Sequence, residues 1–202
     1  CDLQDLSFEH GKLQHRFIEE KRVFEPENIG DKIQLHMNRC ILCQRCVLVA
    51  DQLTDGRVHG ILSRADHSQI STCVSAAIDN DFSGNMIDVC PVGALTDKTF
   101  RFKSRVWFNK PYNAHRDCDK CCGKTTLWMF GKEIQRVTAR KDIYHEVEEF
   151  ICNTCRYDHK EVSDWVIEGP RKFDKDSVIN PNNYTRKLDK VVINTEEGIL
   201  EG

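Results

Sequence analysis

No charge of one sign dominates this chain. Its 29 basic and 32 acidic residues leave a formal net charge of −3, whereas nucleic-acid binding calls for a basic excess that neutralises phosphates. Long apolar runs are missing as well. The best of them, Cys46–Ala50, has five residues, far short of the ~18 that a membrane-crossing helix needs. No G-x-G-x-x-G is present, so the chain itself is not expected to bind a dinucleotide. The eight histidines form no H-x3-H or H-E-x-x-H pattern, which removes the helical metalloprotease constellation. No repeat recurs at a fixed period. The balance of 40 % hydrophobic and 30 % charged residues is that of an ordinary folded protein rather than a disordered one. The length allows one or two domains with a real core.

Cysteine is abundant: eleven of the 202 residues. An odd count leaves one thiol over in any complete disulfide framework. The spacings also argue against disulfides. Cys40, Cys43 and Cys46 follow one another at x2 intervals, as do Cys118 and Cys121, and Cys152 and Cys155. Such clusters are the signature of metal ligands in a reducing compartment.

The first set, Cys40-x2-Cys43-x2-Cys46 with a distant Cys90-Pro91, is the strongest signal. Bacterial ferredoxins use C-x2-C-x2-C-x3-C-P runs, in which three thiolates serve one cluster and the fourth serves another. Half of a two-cluster pattern is present here. The continuation of the first run falls on Ala50. The cysteines expected ten, seven and four residues before Cys90 fall on Asn80, Ser83 and Met86. The ligands of one cluster are thus absent together while those of the other remain. This predicts one [4Fe–4S] cluster on Cys40, Cys43, Cys46 and Cys90. Zinc is the alternative, though structural zinc sites rarely use three ligands in one x2-x2 run. Arg39 and Arg45 flank the ligands, either as solvated surface arginines or as charges that raise the cluster potential.

The second set is two x2 pairs either side of an expected hairpin. Thr125–Phe130 and Glu133–Ala139 flank Gly131-Lys132, a turn signal. Bringing the pairs together would make a four-thiolate site on Cys118, Cys121, Cys152 and Cys155, suited to an iron–sulfur cluster or to tetrahedral zinc. Cys122 is a competing ligand and His115 a possible substitute. Cys73 has no neighbouring cysteine and is expected to be a buried free thiol. Phe100 and Phe102 alternate with Arg101 and Lys103, which predicts a strand with a basic face. The run Lys98–Lys110 carries five basic residues and no acidic one, a solvated face or a docking face for an acidic neighbour.

Two long stretches, Met37–Val47 and Phe82–Thr96, together with Lys98–Phe102, resemble the large iron–sulfur subunit of the peripheral arm of respiratory complex I. The resemblance covers residues 1 to roughly 165. It implies an α+β fold in four parts: the end of a His/Cys cluster domain and connector at 1–37, a ferredoxin-like [4Fe–4S] domain at 38–110, a small, mainly antiparallel β cysteine-rich domain at 111–165 resembling the cluster module of molybdopterin oxidoreductases, and an extended tail at 166–202. Cys1-Asp2-Leu3-Gln4 matches the end of the family's His-x3-Cys-x2-Cys-x5-Cys motif. Cys1 is accordingly expected to be the last ligand of an upstream [4Fe–4S] cluster, with a [2Fe–2S] domain further upstream in a longer chain. In the second set the family pattern C-x2-C-x3-C departs at Thr125, and Cys155 stands where glycine is usual, so one ligand is lost and another gained.

The implied function is electron relay without a substrate site of its own. Electrons pass from an NADH-oxidising flavin subunit, through other peripheral-arm iron–sulfur subunits, toward quinone. The implied setting is a hetero-oligomeric complex on the cytoplasmic side of the inner membrane, without a span in this chain. The rivals are the diaphorase iron–sulfur subunit of an NAD-reducing hydrogenase and a zinc-stabilised interaction module.

Overall fold

The computed structural model describes residues 7, 10–12, 14, 16–20, 22–53, 58–72, 78–142, 146–172, 192–195 and 198–201. Cys1 and Cys73 lie outside the described residues. The first half is built from short elements around one core. Strands β1 (Glu27–Asn28), β2 (Ile33–Leu35) and β5 (Leu95–Asp97) form an antiparallel sheet in the order β1-β2-β5. Helix α1 (Arg45–Leu53) begins directly after Cys43-Gln44 and buries Cys46, Val49 and Ala50, with Leu53 packed beside them. These positions fall at i, i+3, i+4 and i+7, one face of a helix. Hairpin strands β3 (His59–Leu62) and β4 (Gln69–Thr72) and the short helix α2 (Asn85–Val89) complete this half. Its core holds Ile29, Ile33, Leu35, Ile70, Met86 and Leu95.

The second half is a four-stranded antiparallel sheet in the order β8-β7-β6-β9. Its strands are β6 (Lys110–His115), β7 (Thr125–Phe130), β8 (Glu133–Ala139) and β9 (Val166–Pro170), and the short helix α3 (Asn153–Tyr157) packs on β8. The expected hairpin forms at Thr125–Phe130 and Glu133–Ala139, closed by Gly131 at φ 63°. Such positive φ suits glycine because it has no Cβ to clash. The core here is Leu127, Val137, Ile134, Ile151, Cys152 and Cys155. Mixed short helices and antiparallel sheets thus give the α+β class. The sheet takes in Val166–Pro170 through pairing with β6, past the residue where a tail was expected to start. Beyond it, β10 (Val192–Thr195) pairs with β11 (Gly198–Glu201).

The strand predicted at Phe100–Lys103 does not form. Asp97 captures the segment into turns. Its Oδ1 accepts from the Thr99 amide and hydroxyl at 2.7 Å, and its carbonyl accepts from the amides of Phe100 and Arg101. A short acidic side chain that bonds the backbone two residues on competes with a strand ladder. Phe100 is buried, whereas Phe102 is 89 % exposed at φ 68°, so the two aromatics do not share a face.

Candidate metal centres

Cys40, Cys43, Cys46 and Cys90 line one pocket, walled by Leu35, Ile70, Val92 and Leu95. Cys40 and Cys43 come from the loop that feeds α1, Cys46 from its first turn, and Cys90 closes α2. The loop is tightly wound. Leu42 (φ 56°) and Gln44 (φ 64°) alternate with the cysteines in the left-handed region, a conformation that costs non-glycine residues ~1–3 kcal/mol and concentrates at functional sites. It aims backbone donors inward: the Leu42 amide donates to Cys40 Sγ at 3.3 Å. From β3, His59 Nε2 stands 3.4 Å from Cys46 Sγ, and His59 is 1 % exposed. Burial lowers His59 to a pKa of about 4, so its ring is neutral at neutral pH. Burial, reinforced by Cys90, Cys40 and Cys43, pushes the Cys46 thiol up to about 12. Burial also raises Cys40. These thiols stay protonated together unless a cationic centre replaces their protons, as a soft metal does.

The positions of the missing second cluster are filled. Ala50 and Met86 are core residues, and Met86 is fully buried. Asn80 donates to the Leu53 carbonyl at 2.6 Å. The Asn80 carbonyl and the Ser83 hydroxyl both accept from Asn153 Nδ2 at 3.0 Å. Side chains and hydrogen bonds that dock α3 occupy this region.

The second set converges more tightly. Cys118 and Cys121 lie on the loop between β6 and β7. Cys152 caps α3, and Cys155 lies within that helix. Their four Sγ atoms all lie within 4.8 Å of one another, the only such group of possible ligands among the described residues. Cys118–Cys152, Cys121–Cys152 and Cys121–Cys155 are each separated by 3.7 Å. Amides point at the sulfurs: Cys155 N–H donates to Cys152 Sγ at 3.4 Å. Burial opposes ionisation of Cys118, but the Lys120 and Cys121 amides and the Cys155 and Cys152 thiols outweigh it and bring Cys118 down to about 7. Cys155 and Cys152 are raised, first by burial. Cys118 is thus the thiol of the four that its neighbours make easiest to deprotonate.

The other candidates stand apart. Cys122 is exposed and accepts from the Lys124 amide at 3.4 Å. His115 Nδ1 pairs with Glu168 at 2.9 Å rather than with sulfur. Arg39 reaches the Gly93 carbonyl at 3.5 Å. Sequence reasoning missed His59 and the buried Asp88–Arg156 pair. His59 lies 13 residues from Cys46 and Arg156 lies 68 from Asp88, and no local pattern links either pair.

Residues 30–96 match the family described as NADH-quinone oxidoreductase subunit 3, ferredoxin-like domain. Over 160 residues the chain is 41 % identical to the G subunit of NADH-quinone oxidoreductase from Rickettsia felis, covering 79 % of this chain and 24 % of that protein. Over these residues the chain is similar to part of this subunit. Its counterpart in Rickettsia prowazekii is also 41 % identical over 107 residues, covering 53 % of this chain and 16 % of that protein. A plant relative, the mitochondrial NADH dehydrogenase [ubiquinone] iron-sulfur protein 1 of Solanum tuberosum, is 38 % identical over 159 residues, 78 % of this chain and 21 % of that protein. The chain therefore spans about a fifth of the length of the curated relatives it matches. A solved NAD+-reducing [NiFe]-hydrogenase superposes on 52 % of this chain and 47 % of its own, at 27 % identity and a TM-score of 0.43, too slight a likeness to bear on fold or function. The match to the NADH-quinone oxidoreductase family includes the first cysteine set, because all four of its thiols fall within residues 30–96.

Proposed function

We propose that this chain is an electron-relay segment of a complex I-type NADH dehydrogenase, and that Cys40, Cys43, Cys46 and Cys90 hold a [4Fe–4S] cluster. The observation that carries the reading is the convergence of four thiols on one apolar-walled pocket within the span that matches the ferredoxin-like family. The donor set fits. Thiolates are the ligands of iron–sulfur clusters, and the inward-facing Leu42 amide and the His59 ring can donate to sulfur. The cluster supplies one-electron chemistry with no bond made or broken in a substrate. This chain's residues exclude water, fix the sulfurs and tune the potential through hydrogen bonds. In this reading electrons enter from an NADH-oxidising flavin subunit and leave through other peripheral-arm iron–sulfur subunits toward quinone. The chain sits peripherally, on the cytoplasmic side of a membrane-bound complex. Among the described residues no helix is long and apolar enough to cross a membrane.

The full-length subunit, purified without oxygen, is expected to hold iron and acid-labile sulfide in equal amounts. It should show an EPR signal on reduction that Cys43→Ser removes. A colourless protein with zinc as its only metal would overturn this reading.

A further inference from the structure

We propose that Cys118, Cys121, Cys152 and Cys155 bind a single tetrahedral zinc ion that clamps the small sheet onto the ferredoxin-like domain and carries no electrons. The argument starts from sulfur spacing. Four thiolates ~2.3 Å from one zinc ion lie ~3.8 Å apart along every tetrahedron edge. The three separations of 3.7 Å match that edge, and the remaining pairs stay within 4.8 Å. An iron–sulfur cluster needs a different arrangement. In a cubane each thiolate binds its own iron, and in a [2Fe–2S] cluster two pairs face each other across a bridged core. Both need room for several atoms between the sulfurs, and thiolates in near-contact leave none. The first cysteine set provides the internal contrast. Its sulfurs line a pocket, and they are not among the ligand groups that lie close enough to share one ion. One chain thus has one thiol set arranged around a pocket and another gathered at the spacing of one ion.

The position of the second set gives the ion its role. Two of its thiolates, Cys152 and Cys155, belong to the segment that docks on residues 80–88. The Ile151 amide donates to Asn85 Oδ1 at 3.1 Å, and the Ile151 carbonyl accepts from Asn85 Nδ2 at 2.7 Å. The Asn153 amide donates to the Asp81 carbonyl, and the Gly84 amide donates to Asn153 Oδ1 at 3.1 Å. Arg156 reaches Asp88 at 2.6 Å. Fixing α3 to the Cys118–Cys121 loop therefore fixes the stretch that ends at Cys90.

The test uses the full-length subunit and reads metal rather than activity. Zinc analysis is expected to give one equivalent. X-ray absorption at the zinc edge is expected to show four sulfur neighbours at ~2.3 Å and no iron neighbour. Cys155→Ser should lower the zinc content by about tenfold or more and leave the EPR signal of the first cluster in place. Cys122→Ser should change neither. Loss of iron and sulfide with Cys155→Ser, or a zinc-free protein with these four thiols open to alkylation, would overturn the proposal. Because the wild-type spectrum needs no variant, a Cys155→Ser protein that misfolds does not blunt the test. Failure of the cluster reading for Cys40–Cys90 appears separately, as missing iron.

Discussion

Asp88 and Arg156 meet at 2.6 Å with side chains each 2 % exposed. Two charges taken out of water gain most when further hydrogen bonds satisfy the atoms around them, and here only Arg156 Nε of the guanidinium lacks a partner. Asp88 Oδ2 also accepts from the Ala139 amide, and Arg156 donates to Asn85 Oδ1 and the Val137 carbonyl. Arg156→Met leaves the carboxylate buried and unpaired and is expected to cost ~3–5 kcal/mol in chemical unfolding. Adding Asp88→Leu should recover most of that loss, because the orphaned charge goes too. A double variant no more stable than the single one would show that the pair acts through packing alone. His59 makes a second case. With a cluster bound, Cys46 would be a thiolate that cannot donate, so the neutral His59 ring, 3.4 Å away, would donate its Nε2–H to Cys46 Sγ. One such bond is worth ~0.5–1.5 kcal/mol net. For a one-electron couple that corresponds to ~20–65 mV, and the bond favours the more negative, reduced state. His59→Leu is therefore expected to lower the potential by that amount in an EPR-monitored titration, and an unchanged potential would remove His59 from the tuning of the cluster.

At the scale of elements, the loop from Arg116 to Lys124 positions half of the second site, and Gly123 is what lets it close. It sits at φ 66°, and a Cβ there would stand 1.9 Å from the Arg116 carbonyl oxygen. Gly123→Ala is expected to cost ~1–3 kcal/mol and to lower metal content together with melting temperature. At the β7–β8 turn, Gly131 has a similar φ with nothing within 4 Å. Asparagine tolerates that region, so Gly131→Asn should stay within ~0.5 kcal/mol of the parent. The hairpin around Gly131 was legible in the sequence because turn chemistry and flanking strands are adjacent. The cysteine sets were legible because ligand spacing is local too. The turn at Phe100–Phe102 was not, since alternation alone does not reveal that Asp97 captures the amides first. The metal of the second site was not legible. Two x2 pairs suit a cluster or zinc alike, and only the distances between sulfurs separate those readings.

At the scale of the whole molecule, the described residues form two apolar cores, one around Ile33, Leu35 and Met86 and the other around Leu127, Val137 and Ile151. A polar seam joins them, formed by Asn85, Asp88, Asn153 and Arg156. Hydrophobic contact is non-directional, whereas buried hydrogen bonds hold one arrangement because any other leaves donors unpaired. The seam therefore ties the position of one half to the other, and α3 supplies two of its four side chains. Residues 80–88 are anchored in the two cores by Phe82, Met86 and Ile87 and share several hydrogen bonds with the α3 segment. Stripping the second site with a zinc chelator releases two of the ties on α3. Amides of residues 80–89 and 151–157 should then exchange with solvent about tenfold faster or more, and in concert, as one locally unfolding unit does. The β3–β4 hairpin, which pairs only within itself among the strands, should keep its protection. Acceleration confined to the Arg116–Lys124 loop would mean that the seam holds without the metal. Concerted acceleration would mean that the second site governs how firmly Cys90 is presented to the first, so that an ion with no redox role sets the local stability around the fourth ligand while the cluster itself stays in place.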